Sequence, residues 1–181
     1  MEEENNLKNK KKKRIFYIIV IILLILLLVI FIMQLIDKNM KKKYIFNQVG
    51  VDVSNAKLIY KYNNYSGFSG DVISCYIYEY SKNNSIENDI KKIDTWKELP
   101  LSENCEKLVY GSKYIKPHIS NQNQESFLEK VENGYYCFID RHIDSKNKLD
   151  DTQIFERDSL NLTIAIYDID TNKFYFLEMN T

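Results

Sequence analysis

In "GYYCFIDRHID", Gly134 to Asp144, the residues Asp140, His142 and Asp144 recur at every second position. Side chains of an extended strand alternate between its two faces, so this spacing puts two carboxylates and an imidazole on one side. Such a trio can bind a divalent metal or orient a His as general base. Arg141 falls on the opposite face and calls for a carboxylate there. A plainer reading competes and is favoured: a polar strand end whose groups bond one another and nearby backbone. Asp-x-His-x-Asp is short and recurs by chance.

Asp71 is the second place where chemistry is conceivable. It follows Gly67 and Gly70 in "NNYSGFSGD". Glycines permit close backbone approach, and exposed amides beside a carboxylate can hold a ligand. The plainer reading is an ordinary hairpin connection. The Gly-Lys-Ser/Thr ending of a phosphate loop is absent. Asp168-x-Asp170-x-Asn172 imitates the start of a calcium loop, but Lys173 stands where that loop needs Gly, and Met179 where it needs Glu. His118, after Pro117, reads as a loop residue. The Asn64, Asn83 and Asn161 sequons are expected by chance in an Asn-rich chain. No catalytic residue is assigned beyond the candidates Asp140, His142 and Asp71. The candidate binding residues are Asp71, Asp140, Arg141, His142 and Asp144. No metal or cofactor is expected.

The elements that would position these residues begin with "IFYIIVIILLILLLVIFIMQLI", Ile15 to Ile36, which holds 22 residues without a charge, Pro or Gly. At about 1.5 Å per residue such a helix is about 33 Å long, against a hydrocarbon core of about 30 Å. It is longer than a signal-peptide core and no small-residue cleavage site follows it, so an uncleaved anchor is expected. Six Lys/Arg precede it in Lys8–Arg14, and four follow in Lys38–Lys43. That bias favours a cytoplasmic N-terminus and an outside C-terminal domain. The expected division is a basic tail 1–14, a transmembrane helix 15–36, a juxtamembrane linker 37–56 and an extracytoplasmic domain 57–181.

The chain's formal net charge is zero, yet residues 44–181 carry fifteen Lys/Arg against twenty-one Asp/Glu. An acidic domain argues against nucleic acid, whose affinity depends on Lys/Arg contacts to phosphate. Cys75, Cys105 and Cys137 form an odd set without Cys-x-x-Cys spacing, which indicates neither a zinc site nor a disulfide framework.

Within the domain, "KLIYKY" and "VISCYIYEY" read as two strands of a hairpin, the second central in its sheet. "SIENDIKKIDTWKEL" reads as a helix capped by Ser85, with Ile86, Ile90 and Ile93 on one face. "SENCEKLVYG" reads as a short helix between Ser102 as cap and Gly111 as stop. "ESFLEKVENG" fits another helical turn or two ending at Gly134. "LTIAIYDIDTNKFYFLEM" reads as two strands joined by an Asp-Thr-Asn-Lys turn. An α+β domain is expected, with an antiparallel sheet of about five strands packed on one face by two or three helices.

The segments "ENGYYCFIDRH" and "LTIAIYDIDTNKFYFLEMNT", with "SGFSGD" as a weaker third, resemble a family of uncharacterised membrane-associated proteins of low-GC bacteria. The resemblance covers most of residues 57–181. It implies one coherent domain, raises interest in Asp71 and Asp140 to His142, and assigns no chemistry. Two functional readings follow. The first is a tethered interaction module, immunity-type or envelope accessory, whose acidity suits a basic protein partner. The alternative is an envelope enzyme, a metal-assisted hydrolase using Asp140, His142 and Asp71, though no nucleophile elbow or HExxH motif supports it.

Overall fold

The structure, a computed structural model, describes residues 2–65, 71–83, 85–113, 116–117, 119–120, 126 and 128–181. Two compact units are present, Met1–Tyr44 and Ile45–Thr181. The first belongs to α1, a helix running Glu2–Val49. Within it, Lys13–Val49 is long and apolar enough to cross a membrane. Every side chain from Lys13 to Met40 is exposed, and from Ile15 to Met33 that exposed surface is apolar all round. Water penalises such a surface, whereas hydrocarbon does not.

The second unit is α+β, as expected. Its strands are β1 (Lys57–Tyr65), β2 (Val72–Glu79), β3 (Trp96–Glu98), β4 (Gly134–Asp140), β5 (Asn161–Asp168) and β6 (Lys173–Asn180). They form one antiparallel sheet in the order β1-β2-β6-β5-β4-β3. The helices are α2 (Glu87–Ile90) and α3 (Glu103–Tyr110).

Local chemistry accounts for the elements that were legible. Ser102 caps α3, its hydroxyl accepting from Cys105 N at 3.3 Å, and Gly111 ends the helix at φ 77°. Asp151 adds its carboxylate to the same N-terminus, accepting from Cys105 N at 3.2 Å and from the Ser102 hydroxyl. The β5–β6 turn is held by Asp168, which accepts from Asp170 N at 2.9 Å and from the Thr171 hydroxyl at 2.6 Å. Asn172 takes the left-handed conformation at φ 56°. That turn uses the very groups that imitate a calcium loop. β2 lies between β1 and β6, inside the sheet, as its two-sided apolar pattern implied.

Four expectations are corrected. The helix expected from Ser85 to Leu99 is only α2, one turn long, because Trp96–Glu98 leaves it to pair with Tyr135–Cys137 as β3. This is the sixth strand. The residues described in 125–134 form no helix; Ser126 instead bridges to Ser120. Residues 37–56 are not a linker: α1 continues to Val49, and Ile45, Val49, Val51 and Val53 are all buried. Finally, both faces of the sheet are covered. On one face Ile164, Leu177 and Phe138 join α3's Cys105, Leu108 and Val109 in one apolar cluster. On the other lie Trp96 and Phe174, with ring centroids 6.2 Å apart. There Trp96 Nε1 donates to Val49 O at 2.8 Å, and the Tyr80 hydroxyl to Asp52 O at 2.8 Å. Residues 45–56 therefore cover the face that would otherwise meet water. All three cysteines are buried and free, and burial pushes the Cys75 thiol up to about 12.

Candidate functional site

The period-two pattern of "GYYCFIDRHID" holds as far as Asp140 and then stops. Tyr136 and Phe138 are buried, as mid-strand residues should be. Asp140 Oδ1 accepts from His142 N at 3.0 Å, an Asx-type turn that ends β4. His142 and Asp144 therefore sit in a turn, not on the strand face that alternation assigned them.

Asp140 and His142 are both occupied. Asp140 is buried, and its Oδ2 accepts from Arg157 Nη2 at 2.7 Å. Burial alone would raise its pKa. Hydrogen bonds from Arg157, from the His142 N–H and from Ser145, together with the Arg157 charge, instead hold it below the ordinary carboxylate value. His142 Nδ1 accepts from Asp144 N at 3.2 Å, which leaves Nε2–H to donate to Ser159 Oγ at 3.1 Å. The Asp144 carboxylate stands 3.6 Å from Nδ1, beyond hydrogen-bond reach, and is mostly exposed. Among the described residues, no three His, Cys, Asp or Glu side chains come together as a metal would need.

Arg141 points to the opposite face, as expected, and pairs with Glu178 at 2.8 Å. A second guanidinium nitrogen donates to Leu162 O at 3.1 Å, and Ser74 Oγ to Glu178 at 3.3 Å. This polar row, buried at Ser74 and Glu178 and half-buried at Arg141, spans β2, β6 and the end of β4. Glu178 was missed as its centre. Its one signal was a charge on the alternating face of "FYFLEM".

Asp71 immediately precedes β2, whereas Asp140 ends β4, with β6 and β5 between them. Three inter-strand spacings of about 4.8 Å put them about 14 Å apart, so the structure does not bring them to one site. Gly67, Gly70 and His118 lie outside the described residues.

Around Asp140 the β4–β5 connection folds into a cleft of about 540 Å³. Its wall returns to β4 where Asp140 N donates to Lys148 O at 2.7 Å. Asn147 shapes the wall through its side chain, which accepts from Leu149 N at 3.1 Å. Asp150 accepts from Thr152 N at 3.0 Å, and hydrogen bonds from Thr152 hold its carboxyl below the ordinary value. Asp140, Asp144, Asp150 and Glu156 line the cleft together with Lys146 and Arg157. The cleft lining offers charge and hydrogen bonding. The hydroxyl nearest the imidazole, Ser159 Oγ, accepts from His142 Nε2–H because Nδ1 is itself an acceptor, so the imidazole does not act as its base in this arrangement.

His142→Ala is expected to cost about 1 to 3 kcal/mol by stranding the part-buried Ser159 hydroxyl and removing a half-buried ring. Where the fold survives, partner binding should be unchanged. Chemical denaturation followed by circular dichroism measures the first. A stable His142→Ala protein that loses its cellular activity would return the imidazole to catalysis.

Compared with family models, with curated proteins and with solved structures, the chain matches none.

Proposed function

We propose that this chain is a single-pass membrane protein acting as a tethered interaction module. Residues 1–14 lie in the cytoplasm, residues 15–36 span the membrane, and the α+β domain lies outside. There it binds a protein or envelope component, as an immunity-type or envelope accessory protein does. The observation that carries this reading is the state of Asp140 and His142. Both are taken up in bonds that close the turn after β4, and the cleft beside them is left lined with charged and amide groups. The resemblance to membrane-associated proteins of low-GC bacteria agrees with it. A second reading, an envelope hydrolase, rests on the cleft reaching Asp140, and the His142→Ala comparison separates the two.

Topology is tested at Asn83, which is exposed. A Cys placed there should react with a membrane-impermeant maleimide on intact cells stripped of any outer barrier. The native Cys75, Cys105 and Cys137 are fully buried and should stay silent in the folded protein. Labelling that appears only after lysis contradicts the orientation.

A further inference from the structure

The β4–β5 connection leaves three large apolar side chains outside the core: Ile143 is 93% exposed, Leu149 37% and Phe155 39%. Each is the chain neighbour of a cleft carboxylate: Ile143 of Asp144, Leu149 of Asp150, Phe155 of Glu156. Inside the cleft, Asp140 and Arg157 pair with each other at 2.7 Å. That leaves Asp144, Asp150 and Glu156 against Lys146 in the cleft lining, three negative charges to one positive, with Lys97 acting on Asp150 from outside the lining. Three apolar–acidic neighbour pairs thus mark one surface segment, with Lys146 and Lys148 between the first two, beside a cavity of about 540 Å³.

We infer that this segment, residues 141–157, is the docking surface of the module, and that its occupant is a basic polypeptide segment in which Lys or Arg alternates with large apolar residues. This rests on the interaction-module reading and names its surface and partner class. Charge complementarity selects the occupant. Nucleic acid and anionic headgroups would meet three like charges. A purely apolar peptide would cover the carboxylates without supplying a counter-charge. A Lys or Arg side chain entering the cleft satisfies them, while its apolar neighbours cover Ile143, an anchor of the kind that dominates interface energy. Rim carboxylates also speed encounter with a basic partner.

The test uses the full chain in its host membrane, with a photo-crosslinking amino acid in place of Ile143 and, separately, in place of Lys57 on edge strand β1. Adducts are identified by mass spectrometry. Trp96 fluorescence checks the fold of every variant. The expected result is an adduct at position 143 whose crosslinked peptide carries Lys or Arg among apolar residues. Its yield should fall about tenfold or more in Asp144→Lys/Asp150→Lys, as loss of close charge pairs predicts. Reversing the partner's charges should restore it. An adduct at 143 with an acidic segment, a lipid or a second copy of this chain overturns the inference. An adduct at 57 alone does so too, while leaving the module reading in place. Adducts at neither position, in protein shown to be folded, count against both.

Discussion

Arg157→Met should destabilise the protein by about 3 to 5 kcal/mol at neutral pH, because it strands a buried carboxylate. Asp140 is 3% exposed, and Arg157 is its ion-pair partner. The His142 N–H remains but supplies no charge. The pH dependence tests the cause. In the native protein the folded pKa of Asp140 lies below its ordinary value. Its contribution is therefore present above the unfolded pKa, about 4, and is lost as pH falls through the folded value. Without Arg157 its hydrogen bond and its charge no longer lower the folded pKa, while burial and the bonds from the His142 N–H and Ser145 remain, so the contribution that Arg157 makes above the unfolded pKa is lost. The gap between native and variant should be widest at pH 7 and narrow toward pH 4. Trp96 is the chain's single Trp and is buried, so its fluorescence during denaturant titration of the detergent-solubilised full chain reports this directly. Equal losses at both pH values would contradict the ion-pair account.

Gly134→Ala should cost about 3 kcal/mol or more, read in the same titration as a shift of the midpoint. Gly134 opens β4 at φ 154°, and a Cβ there would lie 1.9 Å from the Tyr167 carbonyl oxygen. That obstacle is backbone, and it cannot yield easily. Gly134 O accepts from Leu99 N at 3.0 Å, and the preceding Asn133 O accepts from Ile169 N at 3.1 Å, so both sides of the contact are tied into the sheet. Gly50→Ala offers the contrast. At φ 75° it pays backbone strain, but its Cβ would meet only the flexible tip of Ile93, at 3.0 Å. Its cost should be nearer 1 kcal/mol. Equal costs at the two positions would refute the steric argument. Gly134 reads in sequence as a helix stop, since nothing local reveals that a neighbouring strand's carbonyl occupies the space of its side chain.

The same division runs through the whole protein. What depends on neighbours in the chain was legible. The uncharged run Ile15–Ile36 declares its own solvent, Ser102 and Gly111 bracket α3, and Asp168 and Asn172 close the last hairpin with bonds to residues beside them. The mid-strand place of Tyr136 and Phe138 in β4, and the two-sided apolar pattern of β2, were readable before any partner strand was known. What depends on residues distant in sequence was not. The Ile86, Ile90 and Ile93 spacing suits a helix, but pairing of Trp96–Glu98 with β4 outweighs a local preference worth only fractions of a kcal/mol per residue. Val49, Val51 and Val53 recur at every second position in a run too short to name its partner, and it is the uncovered sheet face that draws them into the core. The candidate site divides in the same way. That Asp140, Arg141 and His142 end a strand is local. That Arg157, 17 residues on, neutralises Asp140, and that Glu178, 37 residues on, takes Arg141, was decided by the tertiary structure. Any of twenty-one carboxylates in the domain could have served an arginine on paper. Burial leaves each charge only the partner that the sheet's register carries to it, because an unpaired charge in that interior costs more than the fold can spare.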